Sequence, residues 1–216
     1  MGCIDWQMVE ALSTLAAVLV AVVGGRYIFR QVQEQARANE ITALLHIQSI
    51  LQSKDMREKR GKIFASFLDE KDANGQPKKR YLRPDELEEE EKKDIEWVSQ
   101  GWDMAGMLIY LRFLPPERWI PHWSNSIKKS WTVAHKLIRK YQDPKDRGRL
   151  FWSYFELLAW LSYFMPDPAE SPYTDEEVLR DFSNHRLHVD LIKPLPSRIK
   201  RKLREHSKRL SSTYST

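Results

Sequence analysis

The residues best suited to chemistry lie late in the chain. Arg180 and His185 are separated by four residues in the run Arg-Asp-Phe-Ser-Asn-His, and proton transfer near neutral pH is the chemistry open to such a His. Chance competes with this spacing: with this many Arg and His residues, about one Arg-x(4 to 6)-His match arises at random, and Arg201 with His206 forms a second. His185 and His188 stand three apart with Asp181 and Asp190 nearby, the residue types that ligate metals. A closed metal site needs more ligands than these, so none is assigned and the segment is read as exposed and polar. Glu156 differs from the other carboxylates because the run Phe-Trp-Ser-Tyr-Phe-Glu-Leu-Leu-Ala-Trp, ending at Trp160, surrounds it with apolar neighbours. Buried, it needs a cationic partner, for which Arg112 or Lys136 is expected, and a structural ion pair is favoured over catalysis. His122 and His135 are read as packing or surface residues. The glycines are scattered, with no phosphate-cradling loop and no Gly-x-Ser-x-Gly elbow, so no cofactor is expected.

The elements that must position these residues are helical throughout, because strand-like alternation is absent from the chain. The first is set apart by composition. Residues 11–25 carry no charge, and extending the stretch to residues 8–29 gives enough length to cross the roughly 30 Å hydrocarbon core of a bilayer. The extension takes in Glu10 and Arg26, both near the ends, where a carboxylate reaches the headgroups and an Arg snorkels. Trp6 and Tyr27 supply interfacial aromatics. The acidic residues before the run have the wrong sign for a cleaved secretory leader, so a retained single-pass anchor is expected. Arg26, Arg30 and Arg37 follow the span, which places residues 1–7 outside and the bulk of the chain on the cytoplasmic side of the inner membrane. A single Cys, Cys3, permits no internal disulfide. Neither the myristoylation pattern nor a lipobox is completed around it. Small residues at Ser13, Ala17, Ala21 and Gly25 recur every four positions on one face, where a neighbouring helix can approach, which suggests a homo-oligomer.

Downstream the pattern predicts one helical domain. Residues 30–53 continue the first helix as a juxtamembrane segment. A bundle occupies residues 54–192, with helices over about 56–68, 84–113, 124–141 and 145–164 and a loop over residues 69–83. Thr174 is placed to cap a further short helix, with Glu177 closing a capping box. Residues 193–216 form a basic tail, in which Arg198, Lys200, Arg201, Lys202, Arg204, Lys208 and Arg209 more than account for the net charge of +5. Such a cluster suits anionic lipid headgroups or RNA phosphates, and a solvated terminus is the plain alternative.

Two resemblances add expectations. The N-terminal span, the polar helix after it, the helix containing Trp97-Val-Ser-Gln-Gly-Trp-Asp-Met-Ala-Gly-Met-Leu-Ile109 and the Phe155-Glu156-Leu-Leu-Ala159 helix together resemble the bacterial membrane-anchored proteins of domain of unknown function 4760. That resemblance implies an all-α fold and no particular activity. The Arg180 to His185 motif resembles that of the HEPN ribonucleases, in which the His is general acid or base and the Arg stabilises the phosphorane. A membrane-anchored helical chain with this motif near its end is also similar to the accessory membrane protein of type VI-B CRISPR systems. The sequence therefore leads to a membrane-anchored, non-enzymatic binding or assembly module. A metal-independent ribonuclease or antiphage accessory effector is the first alternative, and an oligomeric pore or scaffold the second.

Overall fold

The computed structural model describes residues 6–69, 84–165, 175–185, 187 and 189–214, except the side chains of residues 6–14, 16, 69, 189 and 214. Every regular element among these residues is helical. In chain order they are α1 (Trp6–Leu51), α2 (Lys54–Phe64) running into a π-helical turn (Ala65–Asp69), α3 (Glu89–Tyr110) and α4 (Pro116–Tyr141). There follow α5 (Ser153–Phe164), α6 (Glu176–Asn184), α7 (Val189–Ile192) and α8 (Ser197–Tyr214). The chain divides into two compact units, Met1–Thr42 and Ala43–Thr216.

The first unit is the greater part of α1. Leu15, Val18, Leu19, Val20, Val22, Val23, Ile28 and Phe29 are all more than half exposed, on every side of the helix. A helix that is apolar all round ordinarily lies in a core or a bilayer. Among the described residues no helix is long and apolar enough to cross a membrane. The side chains of residues 8–14 and 16, part of the expected span, lie outside the described set, and so does that of Ser13 in the small-residue stripe. Ala17, Ala21 and Gly25 are exposed.

The second unit begins with the last turns of α1, where Ile47 and Leu51 are fully buried. Ser53 ends that helix and starts the next, because its hydroxyl accepts the Met56 N–H as an N-cap. Helices α2 and α3 are tied by the Lys59–Asp94 ion pair at 2.5 Å. Helix α3 starts at Glu89 behind a Glu88/Glu91 capping box, a turn later than Pro84 suggests, because that box satisfies the first free N–H groups. At its other end the Phe113 N–H bonds to Leu108 O and the Arg112 N–H to Ile109 O, a Schellman closure. The left-handed position in such a motif suits glycine, yet Arg112 fills it with φ 65° and donates from Nε to Pro194 O at 2.7 Å.

The core forms where α3, α4 and α5 meet. Trp102, Trp131, Trp160, Phe155 and Phe182 are almost completely buried, each such aromatic contributing about 1.5 to 3 kcal/mol through the area it removes from water. Trp102 Nε1 donates to the Ser130 hydroxyl at 2.9 Å, so its one polar atom is satisfied. Helix α4 starts at Pro116 rather than near residue 124 and carries Pro121 inside it. Trp119 explains the early start: it is buried, stacks on Trp123 and meets Trp102 edge-on, and this packing offsets the hydrogen bond that Pro121 removes. Helix α5 starts at Ser153 rather than residue 145, because Gly148 (φ 89°) and Trp152 (φ 50°) adopt left-handed conformations that a helix excludes. Trp152 makes no capping bond itself; Asp103 of α3 caps from outside, accepting the Phe155 N–H at 2.9 Å. Burial pushes the Asp103 carboxyl up to about 6, against the lowering effect of the backbone N–H groups.

Two further expectations change. The N-cap of α6 is Asp175, whose carboxylate accepts the Glu177 and Val178 N–H groups; Thr174 lies outside the described residues, as does the greater part of the expected loop at 69–83. The expected basic tail is helix α8, held to the core by Ile199, Leu203 and Leu210 and by stacking of His206 on Phe164. These apolar residues recur four and then seven positions apart, so one face packs while the other carries the charges.

Gly106 sets how closely α3 approaches α5: a Cβ there would lie 2.1 Å from the Tyr154 carbonyl oxygen. Gly106→Ala is expected to lower unfolding stability by about 1 to 3 kcal/mol, because the clash is with backbone. Gly61→Ala, mid-helix in open space, should raise it by about 0.5 to 1 kcal/mol. Urea unfolding of both variants checks the pair, and equal effects would contradict the close approach.

Candidate functional site

Helix α4 presents Arg139 two turns after Trp131 and one after His135, on the side that packs inward. A charge there must be matched, and carboxylates arrive from two other helices. Arg139 Nη1 lies 3.0 Å from Glu156 Oε1 of α5, while Nη2 and Nε reach the Asp181 carboxylate of α6 at 2.9 to 3.2 Å. Gln142 fills the remaining valences: its oxygen accepts from Arg139 at 2.7 Å, and its amide donates to Phe151 O at 3.0 Å and Glu156 at 3.3 Å. His185, at the end of α6, places Nδ1 2.9 Å from Asp181 Oδ1. Arg139, Gln142, Glu156 and His185 line a cavity of about 450 Å³, together with Arg149 and Asn184.

The electrostatics follow from two carboxylates sharing one guanidinium. Burial pushes the Glu156 carboxyl up, and its share of Arg139 does not fully compensate. Burial acts the same way on Asp181, but the hydrogen bonds from His185 and Arg139 outweigh it and hold that carboxyl well below the usual range. His185 is raised, chiefly by its hydrogen bond to Asp181. His135, buried beside them, is lowered by loss of solvent. The group thus holds one guanidinium, one firmly ionised carboxylate, a second carboxyl that burial drives toward the neutral form, and a proton-binding imidazole. Chemically it can exchange a proton at His185 and hold a small polar molecule in the adjoining cavity. The Arg139 guanidinium is already taken up by its own carboxylates.

The partner expected for Glu156 is therefore corrected. Arg112 bonds to Pro194 O, and Lys136 pairs with Glu177 at 2.9 Å. Arg139 takes the role because it lies on the inward stripe of α4, whereas Arg112 follows the end of α3. Nor does the structure bring Arg180 and His185 into one site. Arg180 is exposed on α6, whereas His185, just past the end of that helix in an extended conformation, is turned back onto Asp181. In the second match, Arg201 lies 4.0 Å from Glu205 and His206 stacks on Phe164. Asp190 pairs with Lys193, and His188 lies outside the described residues. On α8 the cations Arg198, Arg201, Lys202, Arg204, Lys208 and Arg209 are exposed, and Lys200 is half-buried.

Sequence reasoning missed Arg139, Asp181 as its partner, and Lys128. Lys128 is buried in α4 with its ammonium 5.1 Å from the Tyr163 ring, and burial lowers its pKa to about 8. The signal for Arg139 was present, since it falls four residues after His135 on the Trp131 stripe. For Asp181 only its neighbours in the three-dimensional packing distinguish it. Compared with known proteins, the chain matches no family model, no curated protein and no solved structure.

Arg139→Leu leaves two carboxylates buried without a cation and is expected to cost about 3 to 5 kcal/mol in chemical unfolding, far more than Glu156→Gln, which keeps shape and hydrogen bonding. The pH dependence carries opposite signs on its two sides. The contribution of His185, raised in the folded state, is fully present below about pH 6.5 and is lost as pH rises through its folded value. That of Asp181, lowered in the folded state, is present above about pH 4 and is lost on acidification below it. His185→Gln should flatten the alkaline decline and, because His185 is one of the groups that lower Asp181, also shrink the acidic one, which Arg139 still sustains; thermal melts across pH 3 to 9 read both limbs.

Proposed function

We propose that the chain is a single-pass membrane-anchored protein whose helical domain works by binding or assembly rather than by catalysis. The observation that carries this reading is the band of apolar side chains in α1 from Leu15 to Phe29, exposed on every side of the helix. Leaving so much apolar surface in water is costly, and a bilayer removes it. The following cations, Arg26, Arg30 and Arg37, favour a cytoplasmic domain and an external N-terminus at the inner membrane. Ala17, Ala21 and Gly25 offer a face on which copies of the helix could associate. The outer face of α8 adds a set of exposed cations suited to anionic headgroups on the cytoplasmic leaflet. A non-catalytic role is favoured because the buried ionic group around Arg139 is saturated by its own members and Arg180 stands apart from His185.

Alkaline carbonate extraction of the full-length chain tests the anchor: it should stay in the membrane pellet, and Val20→Arg combined with Val23→Arg should move it to the supernatant. Extraction of the unaltered chain would sink the anchor. Labelling of Cys3 by an impermeant maleimide in intact spheroplasts tests orientation, and labelling only after lysis would reverse it.

A further inference from the structure

A second cavity, of about 510 Å³, lies between α5, α8 and the segment around α7. Its inner wall is apolar: Trp160 and Leu203 are 1% and 3% exposed, and Leu187 and Ile192 are half-buried beside them. Arg204 and Lys208 also line it, both exposed, four residues apart and so on one face of α8. No carboxylate among the described residues pairs with either. Trp160, one of the lining residues, carries a buried indole N–H that meets no acceptor among the described residues. Buried donors in folded proteins are almost always satisfied, so such a group beside a cavity is a candidate to bond a bound molecule.

Three features define what fits. A space of this size walled by Trp, Leu and Ile matches the volume and lining of small-molecule sites and takes an apolar body. The unmatched N–H of the lining Trp160 calls for an oxygen acceptor, and the exposed cations Arg204 and Lys208, which pair with no carboxylate among the described residues, call for an anion. Nucleic acid phosphates would use the cations and leave the apolar space and the indole unused. From this combination we infer that the cavity binds one acyl chain of an anionic amphiphile, with its acidic headgroup on Arg204 and Lys208 and an oxygen within reach of the Trp160 N–H. The headgroup is a carboxylate or a phosphate ester, the chemistry shared by a free fatty acid and a membrane lipid. The site goes beyond the membrane reading, since it is complete within the second unit whether or not α1 crosses a bilayer.

The test uses the full-length chain, extracted in a maltoside detergent, with native mass spectrometry and a photoreactive oleate analogue. One acyl ligand per chain is expected to remain bound, its mass showing whether a phospholipid or a free fatty acid is the source. Photolabelling should saturate and map to α5 and α8 peptides. Ser207→Phe, which fills the cavity from its own wall, should cut labelling at least about ten-fold, the loss expected when a ligand's apolar body is excluded. Trp160→Phe, losing one hydrogen bond, should weaken it about five-fold. Arg204→Gln with Lys208→Gln alters only exposed side chains, so folding is not at stake; it should weaken oleate but not oleyl alcohol. Labelling that fails to saturate, or that Ser207→Phe leaves unchanged while near-ultraviolet circular dichroism is unaltered, overturns the site. Equal competition by oleyl alcohol and oleate against the unaltered chain overturns its anionic class.

Discussion

One guanidinium joins three helices. Arg139 of α4 is largely buried beside the Trp131 ring, where an unmatched charge would cost several kcal/mol, and Glu156 of α5 and Asp181 of α6 both come to it. Their approach sets the depth and rotation of α6 against the α4 and α5 pair, and the rest of the second unit follows. Phe182, next to Asp181, is thereby held against Trp131 and Trp160. The α6 helix in turn packs on α8, so the charge inside α4 is linked through one short helix to the amphipathic helix that closes the domain. Gln142 and His185 complete the hydrogen bonding of the group.

The two units meet their apolar surface in different ways. The second buries its large aromatics in a core and pairs its buried charges. The first is a helix whose apolar residues stay exposed on all sides, a distribution that water penalises and a bilayer does not. The same chain also leaves an apolar cavity beneath exposed cations of α8. Both features underlie the lipid-directed readings proposed above.

Much of the fold was legible in the sequence because helical periodicity is local. The Val98 to Ile109 stripe, the Trp131 stripe and the Ser53 break each show in the spacing of residues, whereas Trp97, which the same spacing places on the core face, is 49% exposed. Boundaries were less legible where distant contacts decide them. The early start of α4 depends on Trp119 reaching Trp102, and the late start of α5 depends on Asp103 supplying a cap from another helix. The candidate site was half legible: Glu156 drew attention by its apolar neighbours, whereas the partners expected for it, Arg112 or Lys136, bond elsewhere and Arg139 takes the role. The basic C-terminal run was read from charge alone, and its interleaved Ile199, Leu203 and Leu210 were the overlooked sign of a packed helix.

Composition and periodicity by themselves determined an all-helical chain, the apolar N-terminal run, the aromatic core between residues 97 and 164 and the need of Glu156 for a cation, because these depend on neighbours within a few residues. Tertiary structure alone decided that Arg139 is that cation, that His185 turns onto Asp181, and that Trp160, with an N–H unanswered among the described residues, lines a cavity. Those outcomes depend on which helix faces meet, and the free energy of such meetings is set by burial and charge matching between residues far apart in the chain.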